Sequence, residues 1–423
     1  MFLLSLQDGA ILLMWVYDFK GGPGRDTVEK VRVVVLGNHQ GALDFGETYL
    51  AVVRAMSIRI VLAYTASQKW FLFMFDVKTA FLNAELKEEV YCQQIPHFPE
   101  PDKRTVLRLN KALYGLRQAG NAWYRTFAPV LEAFGLTHCE LDHGVFFGSW
   151  NSPPDPNVSM PSDGILLLML LPIHVDDGAA ATNSKSLYAY FIVFLNWHFQ
   201  VNDLGPIWLF LGITINYDRQ SGMLHMSQGS FVEELLATHN LLSARHQDVP
   251  LCAHSFQSDA PPVPTTALPE YTTAEVITKA YQRIVGSLLY LASWTRPDIS
   301  YAVVALAQWN SAPSQANLLA AKGVLRYLVG TQDWGLCYGG GIRTDSVGYS
   351  DADWATDQTD HLSIPGYAFF MFSGLVSWSS SKQKATALSL TEAEYMAITH
   401  AAKEVLWIQF SSATFPSTTK PSI

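Results

Sequence analysis

The stretch ILLLMLLPIHVDDGAAAT, residues 165–182, decides how this chain is read. Ile165 to Val175 is a nearly unbroken apolar run, and a second short segment starts at Gly178. Two such runs around Asp-Gly predict a β-hairpin turning at Val175-Asp176-Asp177-Gly178. Working outward, FLFMFDVK at 71–78 reads as a buried strand that ends in Asp76-Val77-Lys78. Carboxylates at the ends of core-type strands cost desolvation unless they are paired, hydrogen-bonded or bound to a metal. Asp76, Asp176 and Asp177 are therefore candidates to converge on Mg²⁺, which favours carboxylate and phosphate oxygens. Two such ions clamp the attacking and leaving oxygens of a phosphoryl transfer. The plainer reading of Asp176-Asp177, a solvated turn, stays open on local spacing alone.

Further out, Val31 to Val35 is a β-branched run and predicts a strand. Arg54 to Ser67 predicts a helix with Ile58, Leu62 and Ala63 towards the core. Leu113 to Phe134 predicts another helix, with Gly120 and Pro129 as points of interruption. Residues 251–280 are rich in Pro, Thr and Ser and read as a linker between two mixed blocks. The fold class that follows is α+β.

Composition bounds the function. A chain of 423 residues holds two to four domains at about 100–200 residues each. Its 49% apolar content excludes a disordered or collagen-like chain. A net charge of −9 and 15% charged residues give no global basic signature, so any nucleic-acid contact must be local. None of the four cysteines lies in a C-x-x-C pair, which indicates neither a zinc site nor a disulfide framework. The longest apolar run, 165–173, is nine residues and holds Pro172, whereas a membrane-spanning helix needs about 20. The apolar start lacks a basic region and carries Asp8, so no signal peptide is read. The expectation is an intracellular protein with no membrane partner.

Several strings sharpen this reading. DVKTAFLN at 76–83 and LKEEVYCQQ at 86–94 resemble the first palm motif of copia-type LTR-retrotransposon reverse transcriptases. LYGLRQAGNAWY at 113–124 is similar to that family's next motif, and HVDD at 174–177 to its YVDD box. NDLGPIWLFLGITI at 202–215 resembles the segment after the box. YQRIVGSLLYLASWTRPDISYAV at 281–303 and LRYLVGTQDWGLCY at 325–338 resemble the downstream region. YSDADWATD at 349–357, GLVSWSSSKQKATALSLTEAEYMAI at 374–398 and AAKEVLW at 401–407 resemble the family's RNase H domain.

The resemblance implies fingers and palm over 15–250, a thumb- or connection-like helical region over 281–334 and a partial RNase H-like α/β domain over 335–409. Residues 1–14 and 410–423 are unmatched. It implies a piece of a longer Pol polyprotein that acts as an RNA-directed DNA polymerase. The partners would be an RNA template, a DNA primer and deoxynucleoside triphosphates, with Mg²⁺ or Mn²⁺ as cofactor. The place of action would be the cytoplasm, in a virus-like particle, or the nucleus.

Residue by residue, Asp76, Asp176 and Asp177 stand where the family's catalytic metal ligands stand. Arg32 and then Lys30, in KVRVVVLG at 30–37, stand where the triphosphate is met, and Gln118 near the incoming nucleotide. Arg117 is placed at the template. His174 replaces the usual Tyr beside the primer end, and Leu36 a usual Lys. Gly120-Asn121 replaces a usual Pro-Arg pair. In the last block Asp351 and Glu394 match two carboxylates of the RNase H site, with Asp353 as a further acidic candidate. The third family carboxylate finds no match, so that site reads as incomplete and RNase H activity as absent. Glu394 also fits a capping box starting at Thr391. A decayed relic and a nucleic-acid-binding module without turnover are the other two readings of the whole.

Overall fold

The computed structural model describes residues 10–20, 28–41, 52–98, 102, 105–159, 166–251, 273–340, 346–353, 362–383 and 385–412. Most of the Pro/Thr/Ser-rich linker, 252–272, lies outside the described residues, as do 1–9 and 413–423. The chain forms two compact units, Met1–Val53 with Phe73–Gly205, and Arg54–Leu72 with Pro206–Ile423.

In the first unit, β1 (Leu13–Lys20) and β2 (Val28–Val35) make an antiparallel pair with Val16 opposite Arg32 and Asp18 opposite Lys30. Next in the chain comes α1 (Ala55–Gln68), which belongs to the second unit. It is followed by β3 (Phe71–Val77), then β4 (Glu85–Cys92) paired with β5 (Leu107–Lys111). After α2 (Ala119–Ala133) come β6 (Thr137–His138), β7 (Val145–Trp150), β8 (Leu167–His174) and β9 (Asp177–Thr182). α3 (Lys185–Asn196) and β10 (Val201–Pro206) close the unit. The main sheet has six strands in the order β10-β3-β9-β8-β7-β6. Its core joins Phe75 and Val77 of β3 and Met169 and Leu171 of β8 to Trp123, Phe127 and Leu131 of α2 and Phe191 of α3.

The local sequence explains these elements and corrects two expectations. Leu167 to Ile173 are all buried, which is why β8 reads as a continuous apolar run rather than an alternating one. Pro172 stands inside this strand, and the β8–β9 ladder steps over it from Leu170–Ala181 to Ile173–Gly178. The hairpin turn is tighter than expected. Val175 and Asp176 form it, and His174 pairs with Asp177 as the first residue of β9. Val175 takes φ +60°, the left-handed conformation that two-residue hairpin turns demand. The helix expected from Leu113 starts only at Ala119, because Gly115 sits at φ +93° and breaks the helical path. Gly120 and Pro129 then lie within α2, which runs through both.

The second unit holds α1 and two sheets. β11 (Leu209–Phe210), β12 (Ile213–Asp218), β13 (Met223–Ser227) and β14 (Gly335–Tyr338) form one, in that order. Between β13 and β14 lie α4 (Gly229–Thr238), α5 (Ala274–Trp294), α6 (Ser300–Ala307) and α7 (Gln315–Val329), which share one apolar core. The other sheet is β15 (Val347–Asp353), β16 (Ile364–Met371) and β17 (Gly374–Ser380), followed by α8 (Leu390–Ser412). α1 is buried on every side from Met56 to Ala66, not on one stripe through Ile58, Leu62 and Ala63. Arg59 inside it donates to the carbonyls of Val376, Ser293 and Trp294. Among the described residues, no helix is long and apolar enough to cross a membrane.

Candidate functional site

The first unit brings the strand-end aspartates together through its backbone. The N–H of Val77 donates to the carbonyl of Asp176 at 2.9 Å, so the end of β3 is tied to the turn of the β8–β9 hairpin. On the other side of β3, the N–H of Lys78 donates to the carbonyl of Gln200 at 2.9 Å. Asp76 thus sits in a strand end clamped from both sides. Its Oδ2 accepts a hydrogen bond from Asn202 Nδ2 at 3.2 Å. Gly178 permits the close approach, since a Cβ there would lie 2.2 Å from Cζ of the fully buried Phe75. The Asp-Gly read as a turn signal is therefore a packing requirement: the glycine follows the turn and clears the ring.

Asp176 is half-buried, and burial is the main cause that raises its carboxyl above the ordinary value. Its own backbone hydrogen bond opposes the rise, the charge of Asp76 adds to it, and Lys30 and His174 offset part. Tyr114 feels both aspartates and Arg32 as well, and burial raises its phenol first of all. The guanidinium of Arg32 lies 5.7 Å from the Tyr114 ring centre, which packs edge-on against Phe81. The N–H of Val35 donates to the Tyr114 carbonyl at 2.8 Å and holds the end of β2 against this turn. Burial lowers the His174 imidazole, against the pull of Asp176. Asp76, Asp176, Lys30, Arg32, His174 and Tyr114 thus form one electrostatic neighbourhood. Asp177 opens β9 opposite His174.

Gln118 and Arg117 are held by a different set of bonds. Gln40 Nε2 donates to Gln118 Oε1 at 3.0 Å, while Gln40 Oε1 accepts from the Arg117 N–H at 2.9 Å. Arg117 Nε donates to the Gly37 carbonyl. Gln118 is buried, and with Asn121 and Arg125 it lines a cavity of about 470 Å³. Behind the turn, Trp123 Nε1 donates to the Val175 carbonyl at 2.7 Å.

The acidic residues of the second unit are arranged more loosely. Asp351 and Asp353 are exposed on β15, and Ala352 between them packs with Ala393 and Ala397 of α8. Side chains alternate along a strand, so the two aspartates share the face opposite Ala352. At the start of α8, the Ser389 hydroxyl accepts from the Glu392 N–H, and Glu392 Oε2 accepts from the Leu388 N–H at 2.7 Å. The reach-back expected of Glu394 is made by Glu392 instead, because the helix starts at Leu390 and not after Thr391.

Sequence reasoning passed over Tyr114, Gln40 and Asn202. Asn202 opens a segment quoted above for its family likeness, yet its side-chain bond to Asp76 spans 126 positions and leaves no local trace. Among the described residues, no group of three or more His, Cys, Asp and Glu side chains is placed to hold a metal by itself. The Asp76–Asp176 pair fits a hard divalent ion in donor chemistry: two carboxylates press on each other, and Mg²⁺ commonly takes one or two carboxylates plus substrate phosphates.

The family model described as reverse transcriptase (RNA-dependent DNA polymerase) matches residues 4–253. The chain is 36% identical over 400 residues to the retrovirus-related Pol polyprotein from transposon TNT 1-94 of Nicotiana tabacum, covering 93% of this chain and 29% of that protein. It is 36% identical over 397 residues to the corresponding polyprotein from transposon RE1 of Arabidopsis thaliana, covering 93% and 25%. A putative transposon Ty5-1 protein of Saccharomyces cerevisiae is 30% identical over 332 residues, 78% of this chain and 100% of that protein. The chain thus spans under a third of the plant polyproteins it matches.

Proposed function

Because this chain belongs to the reverse transcriptase (RNA-dependent DNA polymerase) family, we propose that Asp76 and Asp176 carry nucleotidyl transfer from a deoxynucleoside triphosphate to a primer 3′-hydroxyl on an RNA template. The observation that supports it most is the Val77–Asp176 hydrogen bond, which joins the two strand ends bearing these carboxylates. Asp76 and Asp176 would hold Mg²⁺ or Mn²⁺, with Asp177 in support. When bound, such ions neutralise charge on the triphosphate and activate the attacking hydroxyl. Lys30 and Arg32 meet the triphosphate, the guanidinium in the bidentate manner that phosphate oxygens favour. Trp123 and Asn202 fix the turn and the Asp76 carboxylate, so that catalysis comes from positioning and charge stabilisation. Gln118 borders the nucleotide, Arg117 the template, and His174 the primer end.

In this reading residues 15–250 are fingers and palm, 281–334 a thumb or connection region, and 335–409 a partial RNase H-like domain with Asp351, Asp353 and Glu394. The protein would act in a cytoplasmic virus-like particle or in the nucleus. The test is primer extension by the full chain on an RNA template with Mg²⁺. Extension is expected, is lost in Asp76→Asn with circular dichroism unchanged, and persists in Asp351→Asn. Extension by Asp76→Asn at the unmodified rate would refute the assignment.

A further inference from the structure

Gln40 decides which way the side-chain amide of Gln118 faces. The backbone N–H of Arg117 can only donate, so the end of the Gln40 amide that meets it at 2.9 Å is Oε1. The other end, Nε2, donates to Gln118 Oε1 at 3.0 Å. A donor at that point obliges Gln118 to answer with its carbonyl oxygen and turns its own NH₂ away from Gln40. One backbone N–H thus sets the polarity of two side chains in succession. Both amides are buried, where setting two like ends against each other is costly. The frame around them is tight. Gln40 closes a short 3₁₀ turn over Gly37–His39, and its N–H donates to the Gly37 carbonyl at 3.2 Å. That carbonyl also accepts from Arg117 Nε at 2.9 Å. A Cβ on Gly37 would lie 2.0 Å from the Gly115 carbonyl oxygen, so glycine is what lets the two segments come this close. Gln118 is the residue on which α2 begins, and it lines the cavity of about 470 Å³ with Asn121 and Arg125.

We propose that Gln40 is a positioning residue that fixes Gln118 as a hydrogen-bond donor, so that Gln118 receives an acceptor oxygen of the incoming nucleotide. The proposal rests on the polymerase reading for the nucleotide, and on the two Gln40 bonds for the polarity. The two ends of an amide are nearly alike in shape. Without Gln40, the Gln118 amide turns end for end at little cost, and an acceptor oxygen then meets a second acceptor in one of the two orientations. Gln40 itself touches no substrate in this scheme and acts only through Gln118.

The test uses the full chain on an RNA template with a DNA primer and Mg²⁺, read in two ways. Extension gives kcat and the KM for the nucleotide. Equilibrium binding of a fluorescent deoxynucleoside triphosphate to the complex with a dideoxy-terminated primer gives a Kd that needs no turnover. Gln40→Met matches glutamine in length and makes neither bond. It should raise both KM and Kd on the order of tenfold, the worth of one misdirected hydrogen bond, with kcat little changed. A second variant, Gln40→Asn, keeps the amide but is too short to reach both partners, and should show the same rise. In a Gln118→Met background, Gln40→Met should add nothing further to KM or Kd, since its effect passes through Gln118. A lower urea midpoint with KM and Kd unchanged means a merely structural role and overturns the proposal. Full additivity of the two methionine variants overturns it too. A chain that shows these shifts in Kd but never extends a primer keeps the role of Gln40 and refutes the polymerase reading. Extension with KM and Kd unmoved in both Gln40 variants does the reverse, and a chain that binds no nucleotide overturns both.

Discussion

The indole N–H of Trp123 donates to the carbonyl of Val175 at 2.7 Å, joining α2 to the turn that carries Asp176. Trp123 is 1% exposed and stacks on Phe127, so the donor is held rigidly. Val175 needs that hold. A β-branched residue at φ +60° carries strain of about 1–3 kcal/mol, which surrounding structure must offset. Trp123→Phe keeps an aromatic ring and removes the donor. It should cost about 1 kcal/mol of stability or somewhat more, because a part-buried carbonyl loses its partner. It should also slow primer extension more than it weakens template–primer binding. Denaturant midpoints and extension rates check both, and an unchanged midpoint would mean that the bond carries nothing.

Gly178→Ala tests the packing behind the same hairpin. The added Cβ would lie 2.2 Å from Phe75 Cζ, and Phe75 is itself locked edge-on against Phe191 at 5.6 Å. Overpacking of this kind costs about 1–3 kcal/mol or more. The double variant Gly178→Ala, Phe75→Leu should recover part of the loss, since the smaller side chain yields the space. Failure of any recovery would place the cost in the backbone and not in the ring.

His239 predicts an acid-sensitive term in the stability of the second unit. Burial, then the charges of Lys322 and Arg283, lower its imidazole, and its Nε2 is buried with no hydrogen-bond partner among the described residues. A depressed folded value means that the unfolded chain binds the proton more readily. Stability from this group is therefore complete above the ordinary value near 6.5 and is lost as pH falls through the window below it. His239→Gln should flatten the melting temperature over that window and change it little at pH 8. An equally steep acid slope in the variant would assign the sensitivity elsewhere.

The elements of the site were legible where a local pattern sufficed. FLFMFDV gives β3 over Phe71–Val77 without shift, because a short apolar run bounded by polar residues suits a buried strand. The hairpin is legible as well, but its turn spans two residues, Val175 and Asp176, where the pattern predicts four, Val175 to Gly178. Asp-Gly is a turn signal when glycine supplies a positive φ, whereas here Val175 takes that conformation and Gly178 supplies space. A string of residues does not separate these two uses of glycine. The Asn202–Asp76 and Gln40–Gln118 bonds were illegible for a simpler reason: each joins residues 78 or more positions apart. The start of α8 lies two residues before the one the pattern predicts, because Ser389 and Thr391 both lie three before a glutamate, and only the helix path selects Ser389.

Arg59 shows the same limit and gives the sharpest stability test in the second unit. It stands in an apolar helix, 5% exposed, where a lone charge would be costly. Its Nε donates to Val376 O at 2.7 Å, and its Nη1 to Ser293 O at 2.8 Å and Trp294 O at 3.2 Å. Its Cζ lies 4.1 Å from the centre of the Trp378 ring, and Trp378 Nε1 donates in turn to the Ala292 carbonyl. Burial lowers the guanidinium to about 10, still well above neutral pH, so the charge persists in the fold. The planar fork serves α5 and β17 at once and stacks while doing so. A lysine keeps the charge but has neither the fork nor the flat face. Arg59→Lys should therefore cost about 3 kcal/mol, since bonds to a charged donor are worth about 1.5–3 kcal/mol each and a buried ammonium left poorly paired adds to the loss. Arg59→Met removes the charge together with the bonds and should cost less than the lysine variant, despite being the less conservative change. Urea midpoints of the two variants decide it. A lysine variant as stable as the unmodified chain would show that the carbonyls of Ser293, Trp294 and Val376 do not depend on the guanidinium.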